Sequence, residues 1–216
     1  THCGHESWVR LLSFLCTSFD LTLLNCQCRR MARRTQINLD RKQLVTAAFD
    51  LMQEVGLDAL SMRALAARIG VQAPALYWHV SDKAELLGLM AADIHAQTRA
   101  AVDDAADWRD WLRAFGHSFR RQLLQRRDAA LLCSIAKPDM TRTDAAAQEM
   151  SAPLMARGLS QHDALSFQAS VIALTLGWSV YQNSGPMADF LATMMDFDQS
   201  YATGLDALVR GFAASS

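Results

Sequence analysis

The sequence predicts an all-α fold: an N-terminal unit of three helices, two of them forming a helix-turn-helix, followed by a larger helical C-terminal region. Three observations carry this. Residues 60–80 place two short, apolar-striped helices on either side of a glycine. From Trp108 onward apolar residues recur every three or four positions, the helical period. No stretch alternates with period two, and there is no internal repeat or low-complexity segment.

Residues 39–55 form the first helix, with Leu44, Val45, Ala48, Leu51 and Met52 on one stripe and Gly56 as its stop. Ser61 is a hydroxyl start signal for the second, which keeps Met62, Leu65, Ala66 and Ile69 in helical register. Gly70 sits where the tight turn needs a residue free to take positive φ. The next helix begins after Val71 with Pro74 in its first turn, where a missing N–H is harmless. Ser81, Asp82 and Glu85 make another start signal, and the helix they open carries Leu86, Leu87, Met90 and Ile94 to about Val102. Trp108, Trp111, Leu112, Phe115, Phe119 and Leu123 then repeat over more than four turns. A break around Pro138 precedes a helix at 143–157 that ends at Gly158. Residues 162–183 are apolar nearly all round, which predicts burial on more than one side. After a loop at 183–186, the last helix aligns Phe197, Tyr201, Leu205, Leu208 and Phe212.

The 216-residue chain is 51% hydrophobic, enough for a real core, with too few prolines (4) and glycines (10) for a disordered or fibrous protein. Its net charge of −1 announces no nucleic-acid partner, but the distribution is more informative. Arg33, Arg34, Arg41 and Lys42 face one anion, Asp40, just ahead of the helix-turn-helix, and Arg63, Arg68 and Lys83 surround it. That pattern suits phosphate contact. Four of five cysteines (Cys3, Cys16, Cys26, Cys28) fall in the first thirty residues, leaving Cys133 alone in the body. The body is thus of the reduced, cytoplasmic type. Cys3, His5, Cys26 and Cys28 match no common zinc spacing. The apolar run at 8–24 carries Arg10 and Asp20 and is short for a membrane span. Met31-Ala32-Arg33-Arg34 looks like an ordinary start, so residues 1–30 are expected to be a non-native or misassigned extension, a membrane anchor being the rival.

Leu76-Tyr77-Trp78-His79-Val80, followed by Lys83 and Leu86-Leu87, resembles the TetR family of transcriptional regulators. Residues 108–120, Arg127-Asp128, Lys137-Pro138, Gly158-Leu159-Ser160, Ala164-Leu165 and Thr175-Leu176-Gly177 look like its tetracycline repressor branch. The resemblance covers roughly residues 35–213. It implies a helix-turn-helix DNA-binding domain at 31–85 and a ligand-binding and dimerisation domain at 86–216. It also implies a homodimer that binds a palindromic operator in double-stranded DNA and is released by a small-molecule effector. No membrane partner is expected. Helices 162–183 and 197–213 would pair with their copies in a four-helix interface.

In the DNA-binding domain, Ser61 and Arg63 stand where the family reaches backbone or base edges, and an arginine there can contact guanine bidentately or a phosphate. Gln72 at the start of the recognition helix can read adenine. Ala73, Pro74 and Ala75 offer apolar surface suited to thymine methyls. Tyr77, His79 and Lys83 can donate to phosphates, which sets register. Trp78 is expected in the core, Arg68 as an ordinary solvated charge. In the C-terminal domain, Cys133 stands where the branch carries a metal-liganding histidine, Phe115 replaces a polar residue, and Arg99 lies near a second histidine position. These departures predict no magnesium–tetracycline response, no metal and no cofactor. Arg99, Phe115, Phe119, Cys133, Trp178 and Gln182 instead predict a largely apolar, aromatic site with few polar handles; core packing competes for each, and Cys133 has a redox-sensing alternative. The rival functions are a small all-α enzyme, for which no di-metal, phosphate-loop or nucleophile pattern exists in the sequence, and a nonspecific architectural DNA-binding protein.

Overall fold

A computed structural model describes residues 40–102 and 105–215, so the expectations for residues 1–30 and for Arg33 and Arg34 lie outside the described residues. Those residues form ten α-helices and one 3-10 turn. Helix α1 (Arg41–Val55) opens on a reciprocal cap: Asp40 Oδ1 accepts from Gln43 N at 2.6 Å, and Gln43 Oε1 accepts from Asp40 N at 3.0 Å. Helix α2 (Met62–Ile69) starts at Ser61, whose Oγ accepts from Ala64 N at 3.2 Å. It ends at Gly70 in the left-handed region, φ 78°, where a side chain would be strained. Helix α3 (Ala73–Leu76) is a single turn led by Gln72. Helix α4 (Lys83–Ala100) is capped by Asp82, Oδ1 to Glu85 N 2.8 Å, and stops two residues before the expected Val102.

Leu44, Leu65, Leu76, Leu86 and Met90 are fully buried and make one core from α1–α3 and the first half of α4. The second core begins on the rest of α4 with Ile94 and continues through α5 (Trp108–Gln125), whose Trp111, Leu112, Phe115, Phe119 and Leu123 are all within 1% of full burial. Helix α6 (Ala129–Ile135) follows, an element the sequence pattern does not announce. Helix α7 (Thr143–Met155) ends before Gly158, which takes φ +96°.

Helix α8 (Gln161–Gln182) corrects an expectation. By length and apolarity it would pass for a membrane span. Within this chain, however, it buries a single face, made by Ala164, Phe167, Gln168, Val171, Thr175 and Ser179. Val180 and Tyr181 are about half exposed on the other side, at 47% and 53%, because no described element covers them. After α9 (Pro186–Ala192), α10 (Phe197–Ser215) buries Tyr201, Leu205 and Val209, with Phe212 stacked on Phe167 at 4.1 Å.

Candidate nucleic-acid interface and effector site

The reading head presents its polar groups outward because its anchors point inward. Leu76 and Val80, four positions apart, are buried, which turns the intervening residues to the other side. Tyr77 is 53% exposed and Trp78 is 89% exposed, so Trp78 is not a core residue as its spacing had led us to expect. Arg63, Gln72 and Pro74 are exposed, and neither Arg63 nor the Gln72 amide has a hydrogen-bond or ion-pair partner among the described residues. Ala73, Ala75 and His79 are half-buried on the same head, and the His79 carbonyl accepts from Arg41 Nε at 3.1 Å. Ser61 is exposed but spends its hydroxyl on capping.

Two cations make contacts within the head. Lys83 is half-buried with Nζ 3.4 Å from the Leu57 carbonyl, which ties its ammonium to the head's own backbone. Arg68 is not a free solvated charge: its Nη1 lies 2.7 Å from Glu54 Oε2. Arg41 reaches Glu85 Oε1 at 3.4 Å. The Glu85 carboxyl sits below its usual range chiefly because Ser81 N donates to it at 2.6 Å.

The head is clamped to the turn between α5 and α6. Asp128 Oδ2 accepts from Leu57 N at 2.9 Å, Gln53 Oε1 accepts from Arg127 N at 2.9 Å, and the Glu54 carbonyl accepts from Arg127 Nη1 at 3.0 Å. Asp128 takes φ 57°, the one non-glycine residue with positive φ among those described. A second contact lies farther along α4. A Cβ on Gly88 would sit 2.7 Å from the Lys137 carbonyl, so only glycine lets the chain after α6 approach α4 this closely.

The aromatic interior predicted from the sequence is assembled as a ladder. Trp111 stacks on Phe115 at 5.1 Å, Phe115 on Phe119 at 6.0 Å, and Phe119 on His95 of α4 at 4.8 Å. His95 was not singled out from the sequence. It is largely buried, and desolvation, helped by Arg99, lowers its pKa to about 4, so it is neutral at pH 7. Phe115 and Phe119 thus come together, with Arg99 one turn from His95. Trp178 and Gln182 go elsewhere: Trp178 meets Phe197 edge-on at 6.3 Å, and Gln182 Oε1 accepts from Arg120 Nη2 at 2.7 Å. The same Arg120 nitrogen lies 2.7 Å from Asp198 Oδ1, and its guanidinium covers the Tyr201 ring.

Burial pushes the Cys133 thiol up to about 12, against the opposing pull of Arg126. A thiol so protonated at neutral pH lacks the thiolate that redox sensing needs. Among the described residues no three His, Cys, Asp or Glu side chains converge to hold a metal ion. Cys133, at the position where the branch carries its metal ligand, is a buried, protonated thiol, a poor ligand for a hard cation such as magnesium. A groove of about 580 Å³ opens along α7, between Asp144, Gln148, Met155 and Gln161, and none of the six sequence-predicted ligand residues lines it.

Comparison with known proteins agrees with this geometry. The family model for bacterial regulatory proteins of the tetR family matches residues 44–90, the helix-turn-helix and the start of α4. The chain is 32% identical over 195 residues to the tetracycline repressor protein class D of Escherichia coli, covering 81% of this chain and 89% of that protein. The crystal structure of TetR from Acinetobacter baumannii AYE superposes with a TM-score of 0.63 at 30% identity, covering 82% of this chain and 97% of the other. That of TetR class A in complex with 5a,6-anhydrotetracycline and magnesium gives 0.64 at 30% identity, covering 82% and 99%. These relatives are regulators of transcription, not enzymes, and this chain belongs with them to the tetR family of bacterial regulatory proteins.

Proposed function

We propose that this protein is a homodimeric repressor that binds a palindromic operator and is released by a small molecule other than a magnesium–tetracycline chelate. The observation that carries the DNA half is the outward face of the head, where Arg63, Gln72, Tyr77 and Trp78 stand exposed around a glycine-turned helix pair. Arg63 and Gln72 supply base contacts, Tyr77 and His79 phosphate contacts, and Ala73, Pro74 and Ala75 apolar groove contacts; Ser61 and Lys83 support the same face from the start of α2 and α4. Two such heads reading successive major grooves need recognition helices about 34–36 Å apart. The uncovered face of α8, with α10, is the surface that a second copy would bury to set that spacing.

The effector half rests on chemistry. Cys133, Phe115 and Arg99 stand where a tetracycline repressor would hold metal and polar anchors, and the ladder from Trp111 to Phe119 offers aromatic surface instead. An operator-bound regulator is a cytoplasmic protein. Selection from a random duplex pool by the full chain at moderate salt tests the DNA reading: a palindromic motif is expected, with affinity falling steeply as salt rises. Binding with no sequence enrichment would instead establish the nonspecific architectural alternative.

A further inference from the structure

We propose that Arg41 passes from Glu85 to an operator phosphate when the head meets DNA, while its Nε goes on fixing the end of the recognition helix. This rests on the reading of the chain as an operator-binding regulator, and it adds to that reading one phosphate contact and its competitor within the chain.

Helix α3 is a single turn with no side-chain cap, too short to hold its own direction. Its direction is set by what grips its end. Leu76 and Val80 are buried beneath it, and the His79 carbonyl accepts from Arg41 Nε at 3.1 Å across 38 positions. Two residues on, Ser81 N donates to Glu85 Oε2 at 2.6 Å, and Arg41 Nη2 reaches Glu85 Oε1 at 3.4 Å. Arg41 and Glu85 thus bracket the turn that ends the recognition helix. This latch stands beside the reading face, since His79 directly follows the almost fully exposed Trp78.

The two bonds of Arg41 differ in strength. The one to His79 is of ordinary length, whereas the pair with Glu85 is long and the Arg41 side chain is 63% exposed. An exposed pair of that kind is worth little. A phosphate offers the same fork two parallel, charge-assisted bonds. Nη1 has no hydrogen-bond or ion-pair partner among the described residues, so with Nε latched both terminal nitrogens are available to a phosphate. Glu85 is not stranded by the transfer, because Ser81 N keeps its carboxylate hydrogen-bonded and ionised. The adjacent carboxylates are engaged elsewhere: Asp40 caps α1 through Gln43 N, and Asp82 caps α4 through Glu85 N. Of the cations that open α1 and α4, Lys83 is tied to the Leu57 carbonyl, and Arg41 is the one bonded to the end of the recognition helix.

The test measures the affinity of the full chain for the palindromic duplex it selects, by fluorescence anisotropy across a salt series. Arg41→Gln is expected to weaken binding about tenfold or more. It should also make log affinity against log salt shallower by about 2, one phosphate per head at about 0.9 each. Arg41→Lys restores the slope but not the whole affinity, since one ammonium cannot serve a carbonyl and a phosphate as a fork does. Glu85→Gln keeps an acceptor for Ser81 N and removes the competitor, so binding tightens about two- to fivefold per head, the size of one exposed pair. That gain vanishes in the Arg41→Gln background, and all variants melt within about 2 °C of wild type. An unchanged slope in Arg41→Gln overturns the phosphate contact even where affinity falls. A Glu85→Gln gain that persists without Arg41 is plain repulsion of DNA and overturns the transfer. A wild-type chain that selects no duplex refutes the regulator reading and this proposal with it; a selected operator indifferent to Arg41 refutes this proposal alone.

Discussion

Asp128 joins the turn between α5 and α6 to the reading head through one bond, and three substitutions separate what it contributes. Its Oδ2 accepts a hydrogen bond from Leu57 N at 2.9 Å, and Leu57 is 3% exposed, so removing the acceptor strands a buried donor. That costs about 1–3 kcal/mol. Asp128 also holds φ 57°, which costs an alanine roughly 1–2 kcal/mol and a glycine nothing. Asp128→Ala incurs both penalties, about 2–5 kcal/mol. Asp128→Gly incurs the first, plus the chain entropy of glycine. Asp128→Asn keeps an acceptor and tolerates the conformation, and the Arg127 pair it loses, 3.7 Å apart and well exposed, contributes little. The expected order of melting temperatures is therefore wild type, Asn, Gly, Ala, with Ala about 5–15 °C down, measured by thermal unfolding at fixed protein concentration. An Asn variant as unstable as Ala would refute the hydrogen-bond argument, and Gly equal to Ala would refute the backbone one.

Trp78→Ala is expected to leave the melting temperature within about 1–2 °C, since an exposed side chain stabilises little, while weakening operator affinity in a gel-shift titration; a large loss of stability would return Trp78 to the core. Gly88→Ala forces a Cβ to within 2.7 Å of the Lys137 carbonyl. Helix propensity offsets about 1 kcal/mol of that clash, and effector response, followed as operator release, is expected to change more than stability does. His95, whose folded pKa is depressed from 6.5 to about 4, contributes stability that is fully present above pH 6.5 and is lost as pH falls toward 4. The loss is about 3 kcal/mol. His95→Phe should flatten the denaturation profile between those pH values, and an unaltered profile would mean that the imidazole is solvated.

What the sequence disclosed was what short-range chemistry determines. The caps at Asp40, Ser61 and Asp82 and the turn at Gly70 involve groups three or four residues apart, so the head was legible almost to the residue. Trp78 was misplaced because aromatic character was weighed without phase: Leu76 and Val80 share a face, and a residue midway between them on a helix must leave it. Helix α6 escaped notice because it is short, and its N-cap residue, Asp128, is held by a bond to Leu57, 71 positions away. Gln182 was expected at the effector, but it belongs to Arg120 and Asp198, a cluster spanning 78 positions that no local pattern encodes.

Helix α4 connects these parts, and its contacts fix how it can move. Its first turn carries the head, through Lys83 on the Leu57 carbonyl and Glu85 with Arg41. At Gly88 it bears on the Lys137 carbonyl without room for a methyl group, so it cannot translate toward α6 there. Seven residues farther, about 10 Å, His95 meets the end of the aromatic ladder. Were an effector to displace α4 at His95, the Gly88 contact would act as a bearing and the head end would swing the opposite way. Leu57 belongs to the head and Asp128 to the turn between α5 and α6, so such a swing would lengthen their hydrogen bond. An effector shifts the equilibrium only by its differential affinity for the two positions, and coupling energies are typically about 1–3 kcal/mol. One hydrogen bond to a buried N–H is of that size. The Asp128–Leu57 bond thus contributes, with the Arg127 bonds to Gln53 and Glu54, to the threshold that effector binding must exceed, and weakening it should make release easier at the same effector concentration.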